Sequence, residues 1–166
     1  MITKVSDVKE IVKRGIRDPA LVFAEVRALA MSEDWVKREV SATALVEISK
    51  KQPDRVIAEM IVWSKDKDPN VRRTASEGLR HVARKTPEAV LPVLETLKTD
   101  SNLYVQKSVA NVLRNAGNYH PDFVLGICSR WADLRNPNTN WIVKDGLRKL
   151  KQTRPQEVDQ VIESLG

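Results

Sequence analysis

Five prolines, Pro19, Pro53, Pro87, Pro121 and Pro155, stand 34 residues apart along the chain. A proline suits the first turn of a helix, because its ring fixes φ near the helical value and its missing N–H would have no partner there. Three residues after each comes a valine: Val22, Val56, Val90, Val124 and Val158. Seven after come Val26, Met60, Leu94, Cys128 and Ile162, and ten after come Leu29, Trp63, Leu97, Trp131 and Leu165. Apolar residues at these offsets line one face of a 3.6-residue helix. The pattern predicts five amphipathic helices of one period, hence a fold built by repeating one unit. Asp54, Glu88 and Asp122 in the first turns suit the positive end of the helix dipole.

A second kind of segment recurs between them: WVKREVSATA at 35–44, PNVRRTASEGLR at 69–80, YVQKSVANVL at 104–113 and WIVKDGLRKL at 141–150. Each is dense in helix formers and follows a polar or proline start signal. Aligned on their second basic position they pair Arg38, Arg73, Lys107 and Lys144, which are 35, 34 and 37 residues apart. The expected order is a first helix over about 6–13, then A helices at the spaced prolines alternating with B helices near 33–50, 69–85, 102–116 and 139–152. On this alignment 136–140, NPNTN, is an insertion of about three residues, either a candidate functional loop or tolerated surface variation. No strand pattern is present. One helix pair cannot cover its own apolar face, so repeated pairs must stack. The expected fold is all-α: a right-handed α-solenoid of about five two-helix units in a single domain over 1–166. A V-R-R or V-x-K near the start of the B helix, after a D-P or S-N turn, resembles HEAT repeats, and the tetratricopeptide W…L-G…Y pattern is missing.

Charge narrows the partners. Twenty-eight Lys and Arg against 22 Asp and Glu leave +6, with a pI near 9.5, which favours an acidic partner such as nucleic acid without requiring one. With 42% hydrophobic and 30% charged residues the composition is globular. The start MITKVSDVKE lacks the apolar run of a signal peptide, and no run approaches membrane-spanning length, so a soluble, cytoplasmic protein is expected. One cysteine and two histidines give neither a disulfide framework nor a metal-ligand spacing; no metal or cofactor is expected.

On a B helix, residues four and seven after the repeated cation share its face. The columns read Arg38, Ala42, Leu45; Arg73, Glu77, Arg80; Lys107, Asn111, Arg114; Lys144, Arg148, Lys151. The face is basic, with Glu77 its lone acid. Such cations either track a phosphate backbone or pair with acids of the adjacent unit as a ladder, and only exposed, unpaired ones release counterions. Arg80, Arg114, Arg148 and Lys151 are the stronger phosphate candidates. Glu77 is either catalytic or salt-bridged to Arg73 and Arg80. Trp35, Tyr104 and Trp141 precede the basic pairs, where a ring would stack on a base or pack at the helix start. Trp63, Trp131 and Cys128 lie on the A stripe and belong to the core.

Three stretches, PNVRRTASEGLR, then VLPVLETLKTDSNLYVQKSVANVLRNAGNYHPDFVLGICSRW, then TNWIVKDGLRKL, together resemble the DNA alkylation repair superfamily of HEAT-like proteins, the AlkC and AlkD type, closest to the AlkC branch. The likeness covers about 63–150; the N-terminal third matches in repeat pattern. The resemblance implies a DNA glycosylase that removes alkylated purines such as 3-methyladenine, gripping duplex DNA on the B helices. Carboxylates would there stabilise the charge that builds on the sugar as the glycosidic bond breaks. Glu77, in ASEG, matches an acidic site position. Asn115, in VANVLRNAG, stands where the motif has aspartate, and HVARKTPE replaces a longer segment that carries an active-site tryptophan. The resemblance thus implies duplex DNA as partner and leaves the enzymatic activity open. The competing class is an α-solenoid scaffold that binds a protein partner. The oligomeric state stays open.

Overall fold

The computed structural model describes the backbone of residues 5–166, with side chains from residue 7 onward; the first four residues of the MITKVSDVKE start lie outside it. The described residues form helices without strands. The B row comprises α1 (Val5–Arg17), α3 (Trp35–Ser49), α5 (Pro69–Glu77) continued by α6 (Arg80–Lys85), α8 (Leu103–Gly117), and α10 (Pro137–Leu147) continued by a 3-10 turn (Leu150–Gln152). The A row comprises a 3-10 turn (Pro19–Leu21) leading into α2 (Phe23–Ala30), then α4 (Pro53–Trp63), α7 (Pro87–Leu97), α9 (Pro121–Ala132) and α11 (Pro155–Ser164). Counted as B followed by A, these are five units, and the fold is an α-solenoid of HEAT-like repeats.

Four of the prolines open their A helices and Pro19 opens the 3-10 turn before α2, while the +3 valines are all buried. The +7 and +10 positions are buried through Cys128 and Trp131, whereas Ile162 on α11 and Leu165 just after it are half-buried because α11 meets neighbours on one side only. The B row carries its own column: Ile11, Leu45, Leu79, Leu113 and Leu147 recur every 34 residues and none is more than 1% exposed. Each such side chain contributes about 1.5–3 kcal/mol by burial. Val5–Arg17 is therefore a B helix in register with the rest, four residues longer at its end than the expected 6–13.

The helix starts correct the alignment on charge. Asp34, Asp68, Asn102 and Asn136 stand 34 residues apart and cap α3, α5, α8 and α10. Their side-chain oxygens accept from the amides of Val36 (2.9 Å), Asn70 (2.8 Å), Tyr104 (2.9 Å) and Asn138 (2.9 Å). A capped start of this kind stabilises a helix by about 1 kcal/mol. The 136–140 segment is thus no insertion and no functional loop: Asn136 is the cap and Pro137 opens α10 in register with the other units. Lys144 was paired with Arg38, Arg73 and Lys107 on chemistry alone; the caps instead place Glu39, Arg73, Lys107 and Trp141 at one position.

Two of the B helices are interrupted. Ala44, Gly78, Val112 and Gly146 share a position facing the preceding B helix. A Cβ on Gly78 would lie 2.9 Å from Leu45 Cβ, and one on Gly146 would lie 3.0 Å from Leu113 Cδ1. These two seams are too close for a side chain. The helix breaks just after each glycine, a poor helix former, whereas the units bearing Ala44 and Val112 run through 15 residues each.

Candidate nucleic-acid interface

Counting from the caps, Thr43, Glu77, Asn111 and Asp145 form one column of the B row, and Val46, Arg80, Arg114 and Arg148 form the next, one turn on. The two columns interlock. Asn111 Nδ2 lies 3.4 and 3.5 Å from the two oxygens of Glu77, whose carboxylate is also 3.5 Å from Arg80 Nε. Arg114 donates to the Asp145 carboxylate at 2.5 Å and to its carbonyl at 3.1 Å, and reaches Asn111 Oδ1 at 3.5 Å. Arg148 lies 3.3 Å from the other Asp145 oxygen and keeps 71% of its side chain exposed. Glu77 is therefore not the lone acid of this face: Asp145 is its counterpart two units on. Spacing of 34 from Glu77 gives Asn111, already in its column, and then Asp145, which alignment on charge passes over.

The repeated cations divide by role. Arg38 and Arg72 occupy one position and do one job: Arg38 donates to the carbonyls of Ser32 and Glu33, and Arg72 to those of Asp66 and Lys67. Gln106, next in that column, donates to the Asp100 carbonyl. Arg72 also bonds the Asp100 carboxylate at 2.7 Å, and Arg27 bonds Asp66 at 2.6 Å. Arg73 is buried and paired with Glu39, which occupies the same position one unit earlier. Arg73 thus belongs to the ladder, whereas Arg38 is spent on the loop before its own helix. Lys107 and Lys144 are exposed and have no ion pair among the described residues. Lys151, on the 3-10 turn after α10, lies off the Arg80 column and pairs with Asp159 of α11 at 3.4 Å.

The three aromatic candidates do not share a column either. Trp35 is the first residue of α3 and is 66% exposed; Tyr104 is the second of α8; Trp141 is the fifth of α10, half-buried against the core. The Tyr104 ring lies 5.5 Å from the Arg38 guanidinium carbon and 4.8 Å from that of Arg73, two cation–π contacts that hold it to the ladder. Ala42 and Leu45 are fully buried and leave the face altogether.

Asn115 is not beside Glu77 in a shared hydrogen bond. Its Nδ2 donates to the Asn111 carbonyl at 3.0 Å, and it lines a cleft with Val46, Lys50, Arg80, His81 and Arg84. Burial first, then the charges of Lys50, Lys85 and Arg84, hold the His81 imidazole below its usual pKa, with Glu47 opposing them. Among the described residues no group of three or more His, Cys, Asp or Glu is placed to hold a metal, and no helix is long and apolar enough to cross a membrane.

A family model described as HEAT repeats matches residues 24–114. No curated protein matches the chain in sequence. Among solved structures, the chain is similar to the Pseudomonas fluorescens alkylpurine DNA glycosylase AlkC bound to DNA containing an abasic site analog, with 29% identity and a TM-score of 0.79 over 93% of this chain and 44% of that one. It is similar to AlkD2 from Streptococcus mutans at 26% identity and a TM-score of 0.72, over 85% of this chain and 70% of that one. A third structure, smu.31 from Streptococcus mutans UA159, shares the fold at 24% identity and a TM-score of 0.56, over 90% of this chain and 68% of that one. The chain thus spans less than half the length of the AlkC it matches.

Proposed function

The chain belongs to the HEAT-repeat family, and from that premise we propose that its B face binds duplex DNA through the phosphate backbone. The observation that carries this reading is the division of labour among the cations. Inter-unit pairing is supplied by Arg27 with Asp66, Arg72 with Asp100, Arg73 with Glu39 and Arg114 with Asp145. Lys107 and Lys144 remain exposed without ion pairs among the described residues, and Arg148 is mostly exposed. Exposed, unpaired cations are the ones that release counterions when they meet phosphates. A scaffold whose cations serve only as ladder would have none to spare. The likeness to AlkC, a protein seen on DNA, points to the same partner.

The catalytic part of the proposal is weak excision of cationic, alkylated purines. A carboxylate helps glycosidic cleavage through the negative charge it presents to an oxocarbenium-like transition state. Here Glu77 faces Arg80 and Asn111, while Asp145 is held by Arg114 and Arg148. Each carboxylate has a guanidinium beside it, and that pairing offsets part of the charge the reaction needs. Asn115, an amide where the resembling family has aspartate, adds no charge of its own. Cationic lesions suit such a site because their bond to the sugar is already weak.

Base release from an alkylated duplex, measured beside binding to the unmodified duplex over a range of salt, tests both parts. Salt-sensitive binding with slow release that disappears in Glu77→Gln supports the proposal. Release that survives Glu77→Gln removes Glu77 from the chemistry. An absence of affinity for duplex even at low salt would reject DNA as the partner and leave the scaffold reading.

A further inference from the structure

The cleft lined by Val46, Lys50, Arg80, His81, Arg84 and Asn115 lies where three successive B segments, α3, α6 and α8, approach one another. Its volume is about 240 Å³. Pockets for drug-sized ligands are mostly apolar and run to roughly 300–1,000 Å³, whereas this one has a single apolar side chain in its lining. None of the six lining residues is acidic. Lys50 is paired at 2.8 Å with Glu47, which stands outside the lining, and Arg80 with Glu77 at 3.5 Å. Arg84 is exposed and has no acidic partner among the described residues; its guanidinium carbon sits 5.6 Å from the centre of the Tyr119 ring, and its carbonyl meets His120 Nε2 at 2.8 Å. Lys85 adds a further exposed cation beside His81 and Lys50 in the adjoining depression.

Three cations line the cleft and no acid does, so the charge around it favours an anion. We propose that the cleft is an oxyanion site that takes one phosphate group, bound by the Lys50 ammonium, the Arg80 and Arg84 guanidinium groups, the His81 ring and the Asn115 amide. A phosphate offers several strong acceptor oxygens, and guanidinium groups match its geometry better than they match chloride. The break at Gly78 and Leu79 starts a new helix at Arg80 and so sets the direction in which Arg80, His81 and Arg84 project. The group has two possible sources, a backbone phosphodiester of bound DNA or a terminal phosphate, free as inorganic phosphate or carried as a phosphomonoester at a 5′-phosphorylated end. Only the first source rests on the DNA-binding reading.

His81 is the built-in reporter, since an anion beside it favours the imidazolium and raises its titration midpoint. The test follows the His81 ring signal by NMR, assigned with the help of His120→Gln, during titration with potassium phosphate and with potassium chloride at matched ionic strength. Phosphate should raise the midpoint saturably, chloride should not, and Lys50→Ala with Arg84→Ala should weaken phosphate binding at least tenfold. Should the double variant fail to fold, the single Arg84→Gln at its exposed position carries the same expectation. An equal response to chloride, or an unchanged response in the folded variant, overturns the site. Two duplexes then separate the sources. A duplex without terminal phosphates that moves His81 identifies the backbone, and movement only with inorganic phosphate or 5′-phosphorylated ends identifies a free or terminal phosphate. If duplex does not bind yet phosphate moves His81, the site stands without the DNA reading. If duplex binds and none of these ligands moves His81, the site fails and the DNA reading stands.

Discussion

Two glycine-to-alanine changes, alike in chemistry, should act with opposite sign. Gly126 in α9 is exposed, and a Cβ there would meet nothing within 4 Å. Alanine at that position gains the usual helix propensity, about 0.8–1.0 kcal/mol. Gly78 ends α5 with ordinary helical φ of −65°, so the same gain is nominally on offer. Its Cβ, however, would stand 2.9 Å from Leu45 Cβ and 3.2 Å from the Thr74 carbonyl oxygen. Neither neighbour is the free end of a flexible side chain, so α3 and α5 must separate. Overpacking of this kind costs about 1–3 kcal/mol. That cost is the expected difference between Gly126→Ala and Gly78→Ala, leaving the first more stable than the parent and the second neutral to about 2 kcal/mol less stable. Gly146→Ala should fall between them, because its nearest contact, at 3.0 Å, is the movable Leu113 Cδ1. Urea unfolding followed by helical circular dichroism measures all three, with the m-value as a check that the unfolded state has not changed. Gly78→Ala as stable as Gly126→Ala would refute the close seam between α3 and α5.

Lys144→Ala combined with Arg148→Ala should leave the melting temperature near that of the parent and lower the salt slope of DNA binding by about one unit per lost phosphate contact; an unchanged slope would place the DNA elsewhere. Burial pushes the Cys128 thiol up to about 12, so a thiol reagent at mildly alkaline pH should label it only as fast as the chain unfolds, and prompt labelling of the native protein would contradict its burial. Burial works to raise the carboxyls of Asp66 and Glu95, but hydrogen bonds from the Asp68 amide and Arg27 in one case, and from Lys98 and Trp131 in the other, outweigh it and hold both below their ordinary values of 3.8 and 4.5. Depressed carboxyls contribute stability that is present above their unfolded values and is lost as pH falls through the folded ones. Acid unfolding should therefore set in below about pH 4, and Asp66→Asn should flatten that limb; an unchanged acid limb would show that Asp66 does not carry it.

The A row was legible in the sequence because its signals come from backbone geometry and burial, which admit few residue types: proline at the start, then Val56 or Val90 three residues on. The B row was legible as helices, but alignment on charge puts Arg38 one residue and Lys144 three residues out of register. An exposed cation such as Lys144 can sit at several positions of a turn, since no packing partner fixes it. The leucine column from Ile11 to Leu147 and the caps from Asp34 to Asn136 do have such partners, and they carry the true register. What no spacing displays is which cations are already engaged. Glu77 and Asn111 already share a column when the units are aligned on charge, whereas Glu39 and Arg73, also 34 residues apart, come together only once Arg38 is moved off that column. The Asp145 link between Arg114 and Arg148 depends on how closely α8 approaches α10, a distance set by Gly146.

A stack in which each unit meets only its neighbours has no built-in means of unfolding all at once. Its ends can open while its middle stays shut, and α1 and α11, each with neighbours on one side, are the first to open. The Arg80, Arg114 and Arg148 column runs along that stack, with one guanidinium on each of three successive units. A rigid polyanion lying along the column would tie together units that otherwise communicate only through the one between them. Amide hydrogens from α5 to α10 would then exchange as a single block, while those of α1 and α11 kept their own pace. Ligand binding in such a molecule changes how many of its parts move together, as well as how tightly each is held.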